Sequence, residues 1–468
     1  MSCLNSTACY NSLTGQLSLD SINPDLNHIN WEAAGAETVR HLSELIKLDT
    51  TNPPGNETIA AEYLAGVLRA EGIEPVVLEY ALGRGNLVAR LKGDGSAAPL
   101  LLYGHTDVVP AEPEYWTHGP FSGEVADGYV WGRGAVDMKG MVAMSLMVML
   151  LLKRSSAALK RDVIFAATAD EEVAGKGMRF LVENHPDLIR AEYGLSEIGG
   201  FNMQVGGKQV YPIQVAEKGA VWVKVRAMGK PGHAAIPHSE NAVLYLASAL
   251  QRLGQRGLPY HLTEPAAAFI DGLASALGGL RGRLLRQLKN PLLAPRLLRR
   301  MTDRSLARML SALLHNTATP TALSAGKKTN VIPSVAEATI DCRVLSGFSS
   351  KAVLAELEDA LGAGFEYEVL LESPPVSFNH QTALFETIRE TVRRHDPHGS
   401  VVPYMLTAAT DAKYTAPLGV LTYGFSPLRF SRGENFLELL HAHDERAPVE
   451  GLAWGLRVLF ETVANFTA

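Results

Sequence analysis

The chain has 468 residues, 47% of them hydrophobic, a formal net charge of -6 and three cysteines. That length exceeds one ordinary domain and readily buries a core, and the mildly acidic balance excludes a nucleic-acid binder of the usual basic kind. Cys3, Cys9 and Cys342 are too few and too dispersed for a disulfide framework or a thiolate zinc site, which points to a soluble protein of a reducing compartment, read as cytoplasmic.

Residues 1–30 carry no Lys or Arg and no continuous apolar run, so they fail as a secretory signal peptide and read as a polar leader. Helical spacing over Ala36–Leu48 and Thr58–Glu71 is followed by strands near Ile73–Tyr80, Asn86–Leu91 and Leu100–Tyr103. A helix over 139–153 and a strand over 162–168 continue an alternating α/β pattern. The apolar run Gly140–Leu152 is too short to span a bilayer and reads as a buried helix.

Ligands collect at the C-terminal ends of strands in open α/β sheets, and Leu100–Tyr103 leads there into Gly104-His105-Thr106-Asp107. In extended backbone, positions i and i+2 share a face. Asp107 is therefore expected to accept a hydrogen bond from one imidazole nitrogen of His105 while the other faces a metal. Metal-ligand residue types recur downstream: Asp137 within Gly132–Gly140, Glu171 and Glu172 after the next strand, Glu197 within Leu195–Gly200, and His441 at the start of His441–Glu445. Oxygen and imidazole donors without thiolate suit zinc or a similar divalent ion. The set is large enough for two ions bridged by a carboxylate, about 3.5–4 Å apart in such hydrolytic sites. One acid of the Glu171-Glu172 pair is then free to move protons. His443 competes with His441 on local sequence alone.

A second unit begins near Glu217-Lys218-Gly219 with the alternating strand Val221–Arg226. A helix at Asn241–Leu253, strands near Thr321–Ala325 and Glu337–Val344, a helix at Ser350–Leu361 and a strand at Glu366–Leu371 complete a β-α-β-β-α-β order, that of a ferredoxin-like sandwich. The expected organisation is a catalytic domain of 31–215 and 373–468 interrupted by a lid of 216–372. Within the lid, about 265–316, lies a basic, leucine-rich insertion broken at Pro291 and Pro295. It reads as amphipathic helices covering the lid or a subunit interface, with contact of 275–310 with anionic lipid surfaces or fatty-acyl substrates the less favoured alternative.

The segments Gly104–Pro110, Gly132–Gly140, Asp170–Glu172, Gly229–Pro237, Asn330–Pro333, Thr410-Asp411 and His441–Glu445 follow one another in an order that resembles a known family. It is the metallopeptidase and deacylase family of aminoacylase, glutamate carboxypeptidase, acetylornithine deacetylase and succinyl-diaminopimelate desuccinylase. The resemblance runs from about residue 37 to the end, and Asn316–Pro320 with Gly326–Pro333 looks most like the Gly-X carboxypeptidase and N-acyl-amino-acid hydrolase branch. It implies a zinc-exopeptidase-like α/β domain with a central mixed sheet and an inserted ferredoxin-like α+β lid and dimerisation domain.

The resemblance further implies that His105 and Glu197 hold one ion, that Glu172 and His441 hold the other, and that Asp137 bridges them. Glu171 is then the general base and Asp107 orients His105. His233, from the lid of a neighbouring subunit, meets the charge on the carbonyl oxygen, which implies a homodimer or else a very mobile lid. Asn330, Arg343, Lys413 and Gly424 are the implied substrate contacts; Lys413 stands where the family usually has Arg, and Ser196 where it commonly has Asp. The implied metals are two divalent ions, zinc first, with cobalt or manganese as alternatives. The implied reaction is hydrolysis, by metal-activated water, of the amide in an N-acyl amino acid or small dipeptide bearing a carboxylate. A hydrolase of another small amide or carbamate is one alternative, and a non-catalytic binding relic is another that the intact Glu171 argues against.

Overall fold

The computed structural model describes residues 29–468; the leader read at 1–30 lies, but for its last two positions, outside them. In chain order the elements used below are α1 (Trp31–Lys47), α2 (Thr58–Ala70), β1 (Val76–Glu79), β2 (Gly85–Leu91), β3 (Leu100–His105), α3 (Lys139–Arg154), β4 (Val163–Thr168), β5 (Tyr193–Ser196), β6 (Lys208–Glu217) and β7 (Gly219–Met228). They continue with α4 (Ala242–Arg256), α5 (Glu264–Leu277), α6 (Gly279–Arg286), α7 (Ala294–Arg300), α8 (Arg304–Leu313), β8 (Thr317–Ala325) and β9 (Val335–Val344). The last are α9 (Ser350–Leu361), β10 (Phe365–Ser373), α10 (Ala383–His395), β11 (Ser400–Leu406), β12 (Leu421–Gly424) and α11 (Val449–Thr467).

The large sheet runs β1-β2-β4-β3-β5-β12-β6, with β11 also paired to β6. It is mixed: β3, β4, β5 and β12 are parallel, whereas β2 runs against β4 and β6 against β12. The central strands LLLYGH and VIFAAT are buried at every position, the pattern expected of parallel strands covered on both faces. One cover is α3, whose residues Lys139–Leu152 are all buried. Gly104 permits its close approach, since a Cβ there would lie 2.5 Å from Met138 Cε. Asn30 starts α1 by accepting the amide of Ala33 at 3.1 Å, a side-chain cap that satisfies an otherwise unpaired donor.

Strand β6 passes through Lys218 directly into β7 of a second, antiparallel sheet ordered β8-β9-β7-β10. Strand β9 alternates half-buried and buried residues along its length, and its inner face, with that of β7, packs on α4 and α9. This is the ferredoxin-like β-α-β-β-α-β arrangement.

Helices α5–α8 depart from the expected placement. Their buried residues, among them Phe269, Ile270, Leu273, Leu298 and Leu310, belong to the core of the large sheet, and α5 packs on β11 and β6. The insertion thus covers the large sheet rather than the antiparallel one. Its leucine spacing marked an apolar face but carried no information about which sheet would meet it.

Candidate metal centre

The C-terminal ends of β3, β4 and β5 converge, as such edges do in open α/β sheets. His105 ends β3, Glu171 and Glu172 follow β4, and Glu197 follows β5. Asp137 precedes α3, and His441 comes from the loop before α11. His105 Nε2 lies 3.1 Å from Asp137 Oδ1 and 3.4 Å from Glu197 Oε2. His441 Nε2 lies 3.4 Å from Asp137 Oδ2 and 3.1 Å from Glu172 Oε2. Asp137 therefore sits between the two imidazoles, one oxygen toward each. Ligand atoms of His105, Asp137 and Glu172 fall within 4.8 Å of one another, and so do those of His105, Glu171 and Glu197.

Left-handed backbone at non-glycine residues costs energy and clusters at functional sites. Asp170 (φ 70°), Ile198 (φ 58°) and His441 (φ 57°) adopt it here, each in or beside a member of the cluster.

Electrostatics fit a cation at this place. Burial disfavours a charged His105, yet Glu197 and Asp137 hold its pKa well above the ordinary imidazole value. Hydrogen bonds to Asp137 and Glu172 push His441 up to about 10. Burial raises Glu171, Glu172 and Glu197, with neighbouring carboxylates adding to it. Asp137 is lowered against its burial by the same two imidazoles. The carboxylates thus demand positive charge among them, and Glu172 Oε1 is buried with no hydrogen-bond partner, so the donor set suits divalent ions.

The second histidine of the C-terminal pair lies elsewhere: His443 bonds Glu112 at 3.1 Å and stacks on Tyr115. Asp107 corrects the expected hydrogen bond. His105 Nδ1 meets the backbone carbonyl of Asp107 at 3.0 Å, whereas its carboxylate is 3.6 Å away. That carboxylate instead accepts the amides of Glu171 and Glu172, both at 3.1 Å, and Asn52 Nδ2 at 2.8 Å. The i, i+2 rule fails because the chain leaves the strand after His105.

Sequence reasoning missed the supports. Glu445, fully buried, accepts Arg133 Nη1 at 2.7 Å and the amides of Gly134, Val136 and Asp137 at 3.1, 2.9 and 3.1 Å. It thereby fixes the loop that presents Asp137. On the other side, Arg84 Nη2 bonds Glu57 and Asp170, each at 2.7 Å, and Asn52 links Asp170 to Asp107. Local sequence held no signal for Arg84, whose partners come from distant segments.

The implied substrate contacts are more scattered. His233 and Asn330 come together in a small two-stranded antiparallel ribbon of sequence-distant segments, in which Ala234 N donates to Asn330 O at 3.0 Å. Both are exposed on the antiparallel domain and neither bonds the imidazole–carboxylate cluster. Arg343 is held bidentately by Asp341 at 2.8 and 2.9 Å, so its fork is already occupied. Gly424 packs behind Glu197, where a Cβ would lie 2.3 Å from the Glu197 carbonyl oxygen. Lys413 is the member closest in effect to the cluster: burial lowers its pKa, but Glu171, Tyr414, Asp411 and Glu217 more than offset this and raise it.

A mixed α/β sheet with an imidazole–carboxylate centre at its strand ends and a ferredoxin-like insertion defines a metal-dependent hydrolase of the exopeptidase type. Residues 101–465 match the model of peptidase family M20/M25/M40, and the chain belongs to that family. It is 29% identical over 385 residues to a probable carboxypeptidase S-like 2 of Dictyostelium discoideum, covering 78% of this chain and 71% of that one. It is 28% identical over 456 residues to the N-fatty-acyl-amino acid synthase/hydrolase PM20D1 of Mus musculus, covering 92% and 87%. Among solved structures, the M20 metallo-carboxypeptidase Sso-CP2 of Sulfolobus solfataricus superposes with a TM-score of 0.68 at 18% identity, over 92% of this chain and 98% of that one.

Proposed function

We propose that this protein hydrolyses the amide bond of small N-acyl amino acids or dipeptides that carry a free carboxylate. In this reading His105 and Glu197 hold one divalent ion, Glu172 and His441 a second, and Asp137 bridges them. The observation that carries it is the position of Asp137, with Oδ1 3.1 Å from His105 Nε2 and Oδ2 3.4 Å from His441 Nε2. Zinc is favoured by the mixed imidazole and carboxylate donors, and cobalt and manganese accept the same set.

Bound ions would polarise the scissile carbonyl and acidify a water. The chain supplies the rest. Glu171, half-buried beside Glu197 and with its pKa raised well above the usual carboxylate value by desolvation, is placed to take the water proton and pass it to the departing amine. Burial that excludes water strengthens each of these interactions. Lys413, kept cationic beside Glu171 and Asp411, is the side chain proposed to meet a substrate carboxylate, as a point charge rather than a planar fork.

The two-stranded ribbon that carries His233 and Asn330 is exposed and makes no bond to the cluster of its own chain, which supports completion of the site by a second subunit in a homodimer. The names of the relatives, a carboxypeptidase-like protein and an N-fatty-acyl-amino acid hydrolase, support the substrate class. Cys342 is a buried free thiol, in keeping with a reducing, cytoplasmic setting.

The test is release of amino groups from N-acetyl to N-lauroyl amino acids and Gly-X dipeptides by zinc-loaded enzyme, beside Glu171→Gln. Turnover by the wild type and a loss of about 10²–10⁴-fold in the variant are expected. Absence of turnover across the panel would reject the substrate class, and an active Glu171→Gln would reject the base.

A further inference from the structure

Residues 279–308 form a cationic, leucine-bearing surface that the metal centre does not use. Gly282, Leu285, Leu288, Ala294 and Leu298 point to the core beneath. The opposite face is left to solvent, and it carries Leu280, Leu284, Leu292 and Leu293 at 71%, 51%, 80% and 36% exposure. Interleaved with these leucines are the exposed Arg281, Arg283, Arg296, Arg299 and Arg300.

None of these five arginines has an acidic partner among the described residues. The nearby acids are already engaged: Asp271 pairs with Arg286 at 3.5 Å and Lys289 at 2.7 Å, and Asp303 caps α8 through the amide of Leu306 at 2.9 Å.

Scattered exposed leucines on a soluble protein call for no explanation. Four in one short stretch, set among unpaired guanidinium groups, do. Protein interfaces are enriched in arginine but also in aromatic anchors, and residues 279–300 contain no Phe, Tyr or Trp, so this mixture fits a protein partner poorly. It fits the headgroup layer of an anionic bilayer, where apolar side chains enter the acyl boundary and arginines meet phosphates bidentately. We propose that this face docks the protein peripherally on membranes rich in anionic phospholipid. The metal centre is built from other segments, so docking and hydrolysis are separable.

The probe is sedimentation with vesicles of equal phosphatidylglycerol and phosphatidylcholine, beside vesicles of phosphatidylcholine alone. Each arginine near an anionic surface multiplies partitioning about fivefold. The triple variant R296Q/R299Q/R300Q should therefore bind about a hundredfold more weakly. L280S/L284S should also bind more weakly, yet keep the salt dependence of the wild type. All five positions are exposed, so thermal melts and turnover of a soluble substrate should be unchanged, which separates this proposal from the reading of the active site. Equal binding to both vesicle types, no binding by the wild type, or undiminished binding by the arginine variant would overturn it. So would self-association that vanishes in the variants without any vesicle binding.

Discussion

The carboxylate of Asp107 accepts the backbone amide of Glu171 at 3.1 Å, so a residue two positions from the proposed ligand His105 fixes the proposed general base. Its other oxygen takes the amide of Glu172, also at 3.1 Å. Asp107→Asn keeps the shape but turns an NH₂ toward donors, leaving at least one amide unpaired. Turnover is expected to fall about 10–100-fold, in the range seen for groups that orient metal ligands, with KM changing less. Steady-state kinetics with metal analysis check this; an unchanged kcat would remove Asp107 from the machinery.

His441 and His443 should separate cleanly in metal content. His441 bridges toward Asp137 and Glu172, whereas His443 is engaged with Glu112 and Tyr115. His441→Ala is expected to retain about one of two ions after dialysis, since it removes a ligand from one site only. His443→Ala should retain both. Full occupancy in His441→Ala would show that the assignment is wrong.

Arg84 faces Glu57 and Asp170, and all three are largely buried. Burial, then Asp107, raises the Glu57 carboxyl to about 7, with Arg84 opposing. Removing one partner of a buried ion pair typically costs about 3–5 kcal/mol. Arg84→Met should accordingly lower the urea midpoint, and turnover with it, because Asn52 carries the network on to Asp107. Low millimolar guanidinium should restore part of the turnover. A variant as stable and active as the wild type would show the network to be idle.

How far the sequence could be read follows from where each signal lay. Strands β3 and β4 and the candidate site residues beside them were legible because apolar runs end directly in His105 and just before Glu171-Glu172. The ferredoxin-like order was legible from alternation in β7 and β9. Strand β6 was not, since Pro212 and Gln214 break its apolar run, although eight of its residues are buried. The roles of Glu445 and Arg84 arise only when distant segments meet. The partner of Asp107 was misread because backbone geometry changes one residue past the strand end. For α5–α8, amphipathic spacing gave the buried face but not the sheet it would cover.

Lys218, at the passage from β6 to β7, gives the fold a pH dependence of calculable sign. Its Nζ donates to the carbonyl of His315 at 2.7 Å, and the residue is fully buried. Burial, assisted by Arg343, lowers its pKa to about 7, against about 10.4 for an unfolded lysine. Between those values the unfolded chain binds the proton and the folded chain does not, so stability rises with pH across that window. Each such group adds about 1.4 kcal/mol per pH unit while it titrates. Lys139, also lowered to about 7 by burial, adds to the same slope. Urea midpoints at pH 8 and 9.5 should therefore increase for the wild type and increase less for Lys218→Met. Above pH 8 Glu217, raised to about 8 by burial, has largely lost its opposing effect, which is why the comparison starts there. Identical slopes in the two proteins would mean that Lys218 stays charged in the folded state.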